Sequence, residues 1–321
     1  MASNSCEPCV DPRDPAAMLR AHPVLLLAGL PTDVMVRRLL YAWNPCAELP
    51  DIAEGVRWAG PFRLDTVGAS EAELPLGWST AYAALTARSR MRVPNGVGAE
   101  ELRRRYPHGV PTGTEAVAWS LVTGLARRLD GAARLPADGR GGRTWRSMLS
   151  VRGLGRGSGH AANELMVLRP RRQQSTYRVY GNEALSWSVL CSVLRLNLPE
   201  LDRNGALAAD DYCLDRPGSF EVRVEPFRDG EFLPYALRPY AAATNSSGSD
   251  PFDPGSASDS SGWHPCTVYR FRCLPQSRAA DVERIDVRLR AAACQLADVV
   301  GGMAVDGEGF PVTAPVPAAR R

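Results

Sequence analysis

Near the start of the chain, Cys6-Glu-Pro-Cys9 has the spacing of a zinc knuckle or a redox dithiol. A zinc site needs a second pair of ligands, and His22, Cys46 and the His264-Pro-Cys266 run are the candidates. A redox pair should open a helix inside a βαβ unit, whereas this one sits among prolines. The preferred reading is therefore two cysteines without shared chemistry, with no metal and no cofactor expected. The run Arg152-Gly-Leu-Gly-Arg-Gly-Ser-Gly159 could cradle a phosphate on backbone amides. It lacks the GxGxxG pattern and a preceding strand, so a flexible arginine-bearing linker is favoured. His160 and Glu164 are one helical turn apart but complete neither HExxH nor a ligand set. His22, His108, His160 and His264 are scattered, GxSxG does not occur, and Asp210-Asp211 lies in a polar loop. No catalytic residue is assigned on these grounds.

The cationic residues narrow the chemistry further. All 38 are arginine, so the chain has no lysine for a Schiff base, a P-loop or a kinase-type phosphate contact. A formal net charge of +3 over 321 residues gives no strong pull toward nucleic acid or membrane. Apolar residues make up 45%, enough for two ordinary domains with real cores. The first 23 residues lack the basic and apolar regions of a signal peptide, and Val24–Leu30 is too short to span a bilayer. A cytoplasmic protein with reduced cysteines is expected, and Cys191, Cys273 and Cys294 read as small core hydrophobes.

Two stretches of the chain read alike. In the second half, Thr176–Gly181 alternates as a strand, and Glu183–Leu196 follows as a helix with Trp187, Leu190, Cys191 and Leu194 on one side. Phe220, Val222 and Val224 alternate with Glu221, Arg223 and Glu225, and Cys266–Cys273 is a third strand. Ala280–Val300 is a long helix stopped by Gly301-Gly302, with Met303–Val305 as the last strand. The first half repeats the order: strand Val24–Ala28, a helix from Thr32-Asp33 with Val36, Leu39, Leu40 and Trp43 inward, strands at Val56–Leu64 and Tyr82–Arg90, and helix Thr114–Leu129 before Gly131. Each half is thus β-α-β-β-α-β. The fold class expected is α+β: tandem ferredoxin-like sandwiches with antiparallel sheets. The divisions are a disordered tail 1–22, a first half 23–139, an Arg/Gly-rich linker 140–174, a second half 175–314 with a flexible insertion 244–262, and a tail 315–321.

The helix-stop phrases, ARRLDGAAR at 126–134 and VGGMAVDGEGF at 300–310, resemble a family of uncharacterised proteins from high-GC actinobacteria, which carry ARRL-GGAVR and VGG-VVDEDGF in this arrangement. The resemblance implies such a source and a duplicated fold. It implies no activity.

Strand alternation then separates two sheet faces in the second half. With Tyr177, Val179, Phe220, Val222, Val224, Tyr269 and Phe271 turned to the helices, the other face carries Arg178, Tyr180, Arg223, Arg270 and Arg272, with Glu221 and Glu225 among them. These five are the candidate binding residues, suited to carboxylate or phosphate. The competing reading is a solvated face of Arg–Glu pairs. In the first half, Val24–Leu27 is apolar on both sides, so its sheet should be covered twice, by the other half or by a second copy. A non-enzymatic binding, scaffold or regulatory protein for an anionic ligand or protein partner is expected, with a homodimer among its assemblies. The alternatives are an enzyme or small-molecule sensor with its pocket between the halves, and RNA binding through Arg140–Arg172. No membrane partner is expected.

Overall fold

The computed structural model of the protein describes residues 14–29, 33–86, 111–135, 167–168, 176–199, 201, 212–216, 220–228, 232–242, 263, 265–274 and 279–313. Cys6, Cys9, His108, Arg152–Gly159, His160, Glu164, Asp210, Asp211, His264 and the insertion 244–262 lie outside them. Seven α-helices and two antiparallel sheets among the described residues make the chain α+β. It divides into two compact units, Met1–Tyr41 with Ala47–Arg172, and Ala42–Cys46 with Gln173–Arg321.

In the first unit, helix α1 (Pro15–Ala21) precedes strand β1 (Val24–Leu27), and α2 (Asp33–Trp43) follows. Then come β2 (Asp51–Ala53), β3 (Val56–Arg63), α3 (Thr66–Glu71), β4 (Thr80–Thr86), α4 (Gly113–Arg128), β5 (Ala132–Arg134) and β6 (Val167–Leu168). The sheet runs β2-β3-β4-β1-β5-β6. All four residues of β1 are buried, as four consecutive apolar side chains require of a strand covered on both faces. The second cover differs from the expected one. Val24 and Leu26 pack with Leu19 of α1, with Ala69 and Ala72 in and beside α3, and with Leu74 and Trp78. The unit covers this face with its own helices, and α1 forms inside the segment read as a loose tail. Asp14 caps α1, accepting from the Ala17 amide at 3.0 Å, and Pro15 fits the first helical position. Residues Val167–Leu168 of the expected linker extend the sheet beyond β5.

The second unit contains β7 (Thr176–Gly181), α5 (Trp187–Arg195), β8 (Tyr212–Arg216) and β9 (Phe220–Pro226). A 3₁₀ turn (Tyr235–Leu237) runs into α6 (Arg238–Ala242), followed by β10 (Thr267–Cys273), α7 (Ala279–Val299) and β11 (Met303–Asp306). Its sheet runs β11-β7-β10-β9-β8. Leu190 and Leu194 of α5 and Ile285, Leu289, Ala292 and Leu296 of α7 meet Tyr177, Val179, Val222, Tyr269 and Phe271 in one core. The edge strand β8 occupies residues that read as loop, since Asp215, Arg216 and Pro217 look like turn chemistry. Pairing with β9 outweighs that local preference.

The two corners that follow the long helices are built alike. After α4, the Leu129 amide donates to Leu125, Asp130 turns left-handed at φ 54°, and the Gly131 amide reaches back to Ala126 at 2.7 Å. After α7, Val300 donates to Leu296, Gly301 turns at φ 56°, and Gly302 reaches Ala297 at 2.8 Å. This six-to-one closure satisfies carbonyls that the helix end leaves open. A Cβ on Gly131 would stand 2.5 Å from the carbonyl oxygen of Leu26, and one on Gly302 would stand 2.0 Å from that of Tyr180. Both glycines press on the second-to-last residue of a neighbouring strand, β1 in one unit and β7 in the other. Gly302→Ala is therefore expected to lose ~3 kcal/mol of the second unit's unfolding free energy in urea, with Gly131→Ala close behind in the first. Gly301→Ala meets open space and should cost only the left-handed backbone, ~1 kcal/mol. Equal losses at 301 and 302 would contradict the close approach.

Candidate anion-binding face

The registers of the second sheet fix a lattice on the face away from α5 and α7. One cross-strand row reads Met303, Tyr180, Val268, Glu225. The next reads Val305, Arg178, Arg270, Arg223, Cys213, and the one after it reads Thr176, Arg272, Glu221, Asp215. Arg178, Arg270 and Arg223 thus stand directly opposite one another on three neighbouring strands. Side chains so placed have Cβ atoms about 5 Å apart, and like charges there repel.

Acidic neighbours offset part of this charge. Glu225 lies 2.8 Å from Arg270 Nε and 3.6 Å from Arg223 Nη1, and Glu221 lies 3.9 Å from Arg272 Nη1. The side chains of Arg223, Arg270 and Arg272 are 45%, 36% and 58% exposed, so each pair is a partly solvated one of modest strength. Arg178 is half-buried, and its Nε is shielded from solvent without a hydrogen-bond partner among the described residues. The row below sets Arg272 opposite Glu221.

Tyr180 belongs to the same face but is 3% exposed. It packs with Val268, Val305 and Leu237 beneath the half-buried Phe227, Leu233, Trp263 and Met303. The segment between β9 and β10 thus roofs one end of the face. Its Trp263 is fastened there by a hydrogen bond from Nε1 to the Gly301 carbonyl at 3.0 Å. Of the five residues singled out from the sequence, three form the row, Arg272 lies in the next row, and Tyr180 lies under the roof. Alternation could assign the face but could not show that Phe227, Leu233 and Leu237 fold back over it. The apolar spacing of those three is the only signal in the sequence.

Other candidate groups serve the fold. His22 accepts the Thr86 amide on Nδ1 at 3.3 Å, and burial lowers its pKa, so the neutral ring is the form that fits. Arg134, 1% exposed, donates from Nη1 to the Leu19 carbonyl and from Nη2 to that of Arg20 at 3.1 Å, tying the last turn of α1 to β5. Burial lowers its pKa to about 10, with Glu73 opposing the shift and Arg20 adding to it. Cys191 and Cys273 are buried in the second core and Cys294 is half-buried, its thiol pushed up by burial. Among the described residues no group of three or more His, Cys, Asp or Glu side chains could hold a metal ion. No described helix is long and apolar enough to cross a membrane.

No protein-family model, curated protein or solved structure matches the chain.

The His22 contact carries a pH dependence with a definite sign. The unfolded chain titrates this group near 6.5 and the folded one below it, so the unfolded state binds more protons between the two. Acidification through that window therefore removes stability from the first unit. The urea midpoint should fall from pH 7.5 to 5.5, and His22→Asn, which keeps an acceptor but cannot titrate there, should flatten that fall. An undiminished fall in the variant would assign the acid sensitivity to another group.

Proposed function

We propose that the chain is a tandem of two ferredoxin-like sandwiches and works as a non-enzymatic binding protein, the arginine row of the second unit capturing an anionic ligand or the acidic group of a protein partner. The duplication rests on strand order. Leaving out β2, β6 and β8, the sheets read β3-β4-β1-β5 and β9-β10-β7-β11, the same order of elements. Registers agree as well. Leu25 pairs with Ala133 and Tyr82, as Val179 pairs with Ala304 and Tyr269. The matched glycine corners are the third support.

The single observation that carries the binding reading is three arginines in mutual register on neighbouring strands. A solvated face built only for stability would place opposite charges across from each other. Here like charges oppose, and an anion seated on the row would relieve that repulsion while gaining charge-assisted hydrogen bonds. Among the described residues of the first unit, α1, α3 and their flanking residues cover the corresponding face of its sheet with apolar side chains.

Titration calorimetry of the full chain with sulfate, phosphate and succinate tests the proposal. At least one of these anions should bind, and Arg178→Gln, Arg223→Gln and Arg270→Gln should each weaken it by about tenfold, the worth of one charged hydrogen bond. Glu225→Gln should tighten it, since a competing carboxylate is removed. Arg63, exposed at the end of β3, serves as a control whose Gln variant binds like the wild type. Loss at Arg63 equal to that at Arg270, or no loss at any of the row's three arginines, would refute capture by this face.

A further inference from the structure

Independently of anion capture, we infer that β8 is an interface between two copies of this chain, the two β8 strands pairing antiparallel about a two-fold axis at Leu214. The edges of the two sheets carry the first argument. An edge strand leaves one row of backbone amides and carbonyls open to pairing, and proteins close such rows by shortness, charge or cover. In the first unit the edge strands β2 and β6 have three and two residues. In the second, the chain covers β11 itself, with Val305 bridging Pro311 and the Val312 amide donating to the Ala304 carbonyl at 2.9 Å. Strand β8 is treated otherwise. It is five residues long, and among the described residues it pairs with β9 alone.

Register then selects the occupant. Tyr212, Leu214 and Arg216 stand opposite Val224, Val222 and Phe220, three residues of the core under α5 and α7. Cys213 and Asp215 stand opposite Arg223 and Glu221 and so belong to the face that carries the arginine row. A second copy related by a two-fold axis through this edge must set like face against like face, which centres the seam on a single residue. Three centres lie within the strand's middle. Centred on Asp215, the seam sets that carboxylate against its own copy, and centred on Cys213 it brings the two arginine rows end to end.

Centred on Leu214, the seam sets Cys213 opposite the second copy's Asp215. The row of Val305, Arg178, Arg270, Arg223 and Cys213 then runs on into Asp215 and Glu221 of the second copy. Cations of one copy lead into acids of the other, and symmetry makes this happen twice. On the opposite face Leu214 falls beside its own copy and next to Val222 of each, so the apolar layer continues across the seam. A second copy brings this complementary order by construction.

Sedimentation equilibrium of the full chain should show a reversible dimer with a dissociation constant of about 10–100 µM, as a small interface gives. Asp215→Arg places like charge in line with the second copy's Arg223 and should weaken the dimer about tenfold. Position 215 still opposes Glu221 within its own copy, so that variant keeps β8 paired with β9. Arg178→Gln, at the far end of the row, should leave the dimer unchanged while weakening anion binding, so the two readings fail separately. Register is checked by oxidising the Asp215→Cys variant. Facing positions on paired strands lie within disulfide reach, so peptide mapping should find Cys213 of one copy joined to position 215 of the other. A chain that stays monomeric up to about 500 µM overturns the interface. So does a dimer that Asp215→Arg leaves intact, and a Cys213–Cys213 link in the oxidised wild type overturns the Leu214 axis.

Discussion

Each unit turns on one close approach, the passage of a glycine across an inner strand of its sheet, β1 in the first and β7 in the second. At Gly302 the chain leaves α7 and enters β11 at a distance from the Tyr180 carbonyl that no side chain permits. That contact leaves little freedom in where β11 begins. Met303 falls opposite Tyr180, Val305 opposite Arg178, and the lattice of the sheet follows from there. A slip of one residue would exchange the faces of β11, turning Ala304 and Asp306 away from the side of Val179 and Tyr177 that α7 covers. Asp306 instead accepts the Glu308 and Phe310 amides at 3.0 Å each, closing the turn that ends the strand. The corner and the turn hold the same register from its two ends.

Once the register is set, the two faces of a sheet have different physical duties. The face under the long helices is apolar in both units, with Leu25 and Tyr82 buried in the first and Val179 and Tyr269 in the second, and that burial stabilises each. The other face is where the units part. In the first, α1 and α3 bring apolar side chains, and Arg134 binds α1 down through two carbonyls at its C-terminal end. A cation suits that position, because the end of a helix carries a partial negative charge. In the second, the segment from Leu233 to Leu237 roofs only one end, over Tyr180, Val268 and Val305. Charged side chains stand where the roof stops. The arginine row marks the limit of apolar cover.

Much of this was legible in the sequence, and the remainder was hidden for identifiable reasons. Period-two alternation found β7, β9 and β10, and helical spacing found α2, α5 and α7, because burial of one face dictates those patterns. The glycine corners were legible because a helix stop followed by a close contact leaves few choices of residue. Strand β8 was hidden, since an edge strand is held by its partner's backbone and tolerates turn residues. Helix α1 was hidden by its length, seven residues that are stable only when packed. Alternation assigned Arg178, Arg223, Arg270 and Arg272 to one face, but it says nothing of register between strands. Only pairing shows that three of them are opposite one another while Arg272 faces Glu221.

That distinction decides how the charge on this face should be understood. Arg–Glu alternation along β9 would suit ordinary cross-strand neutralisation if β10 were shifted by two residues. Moved toward Glu221, Arg270 would lie opposite that glutamate and Val268 opposite Arg223, and the like-charge contact would vanish. Such a shift would preserve which residues face the helices, so burial does not forbid it. It would, however, displace Val268 from Tyr180 and Tyr269 from Val179, together with the bonds that Tyr269 makes at the start of α5. The Tyr269 hydroxyl accepts the Leu185 amide at 2.9 Å and donates to the Glu183 carbonyl at 3.0 Å. Packing and hydrogen bonding therefore hold β10 in the register that sets arginine against arginine. The electrostatic cost is imposed by the core, and in the function proposed above a bound anion recovers it.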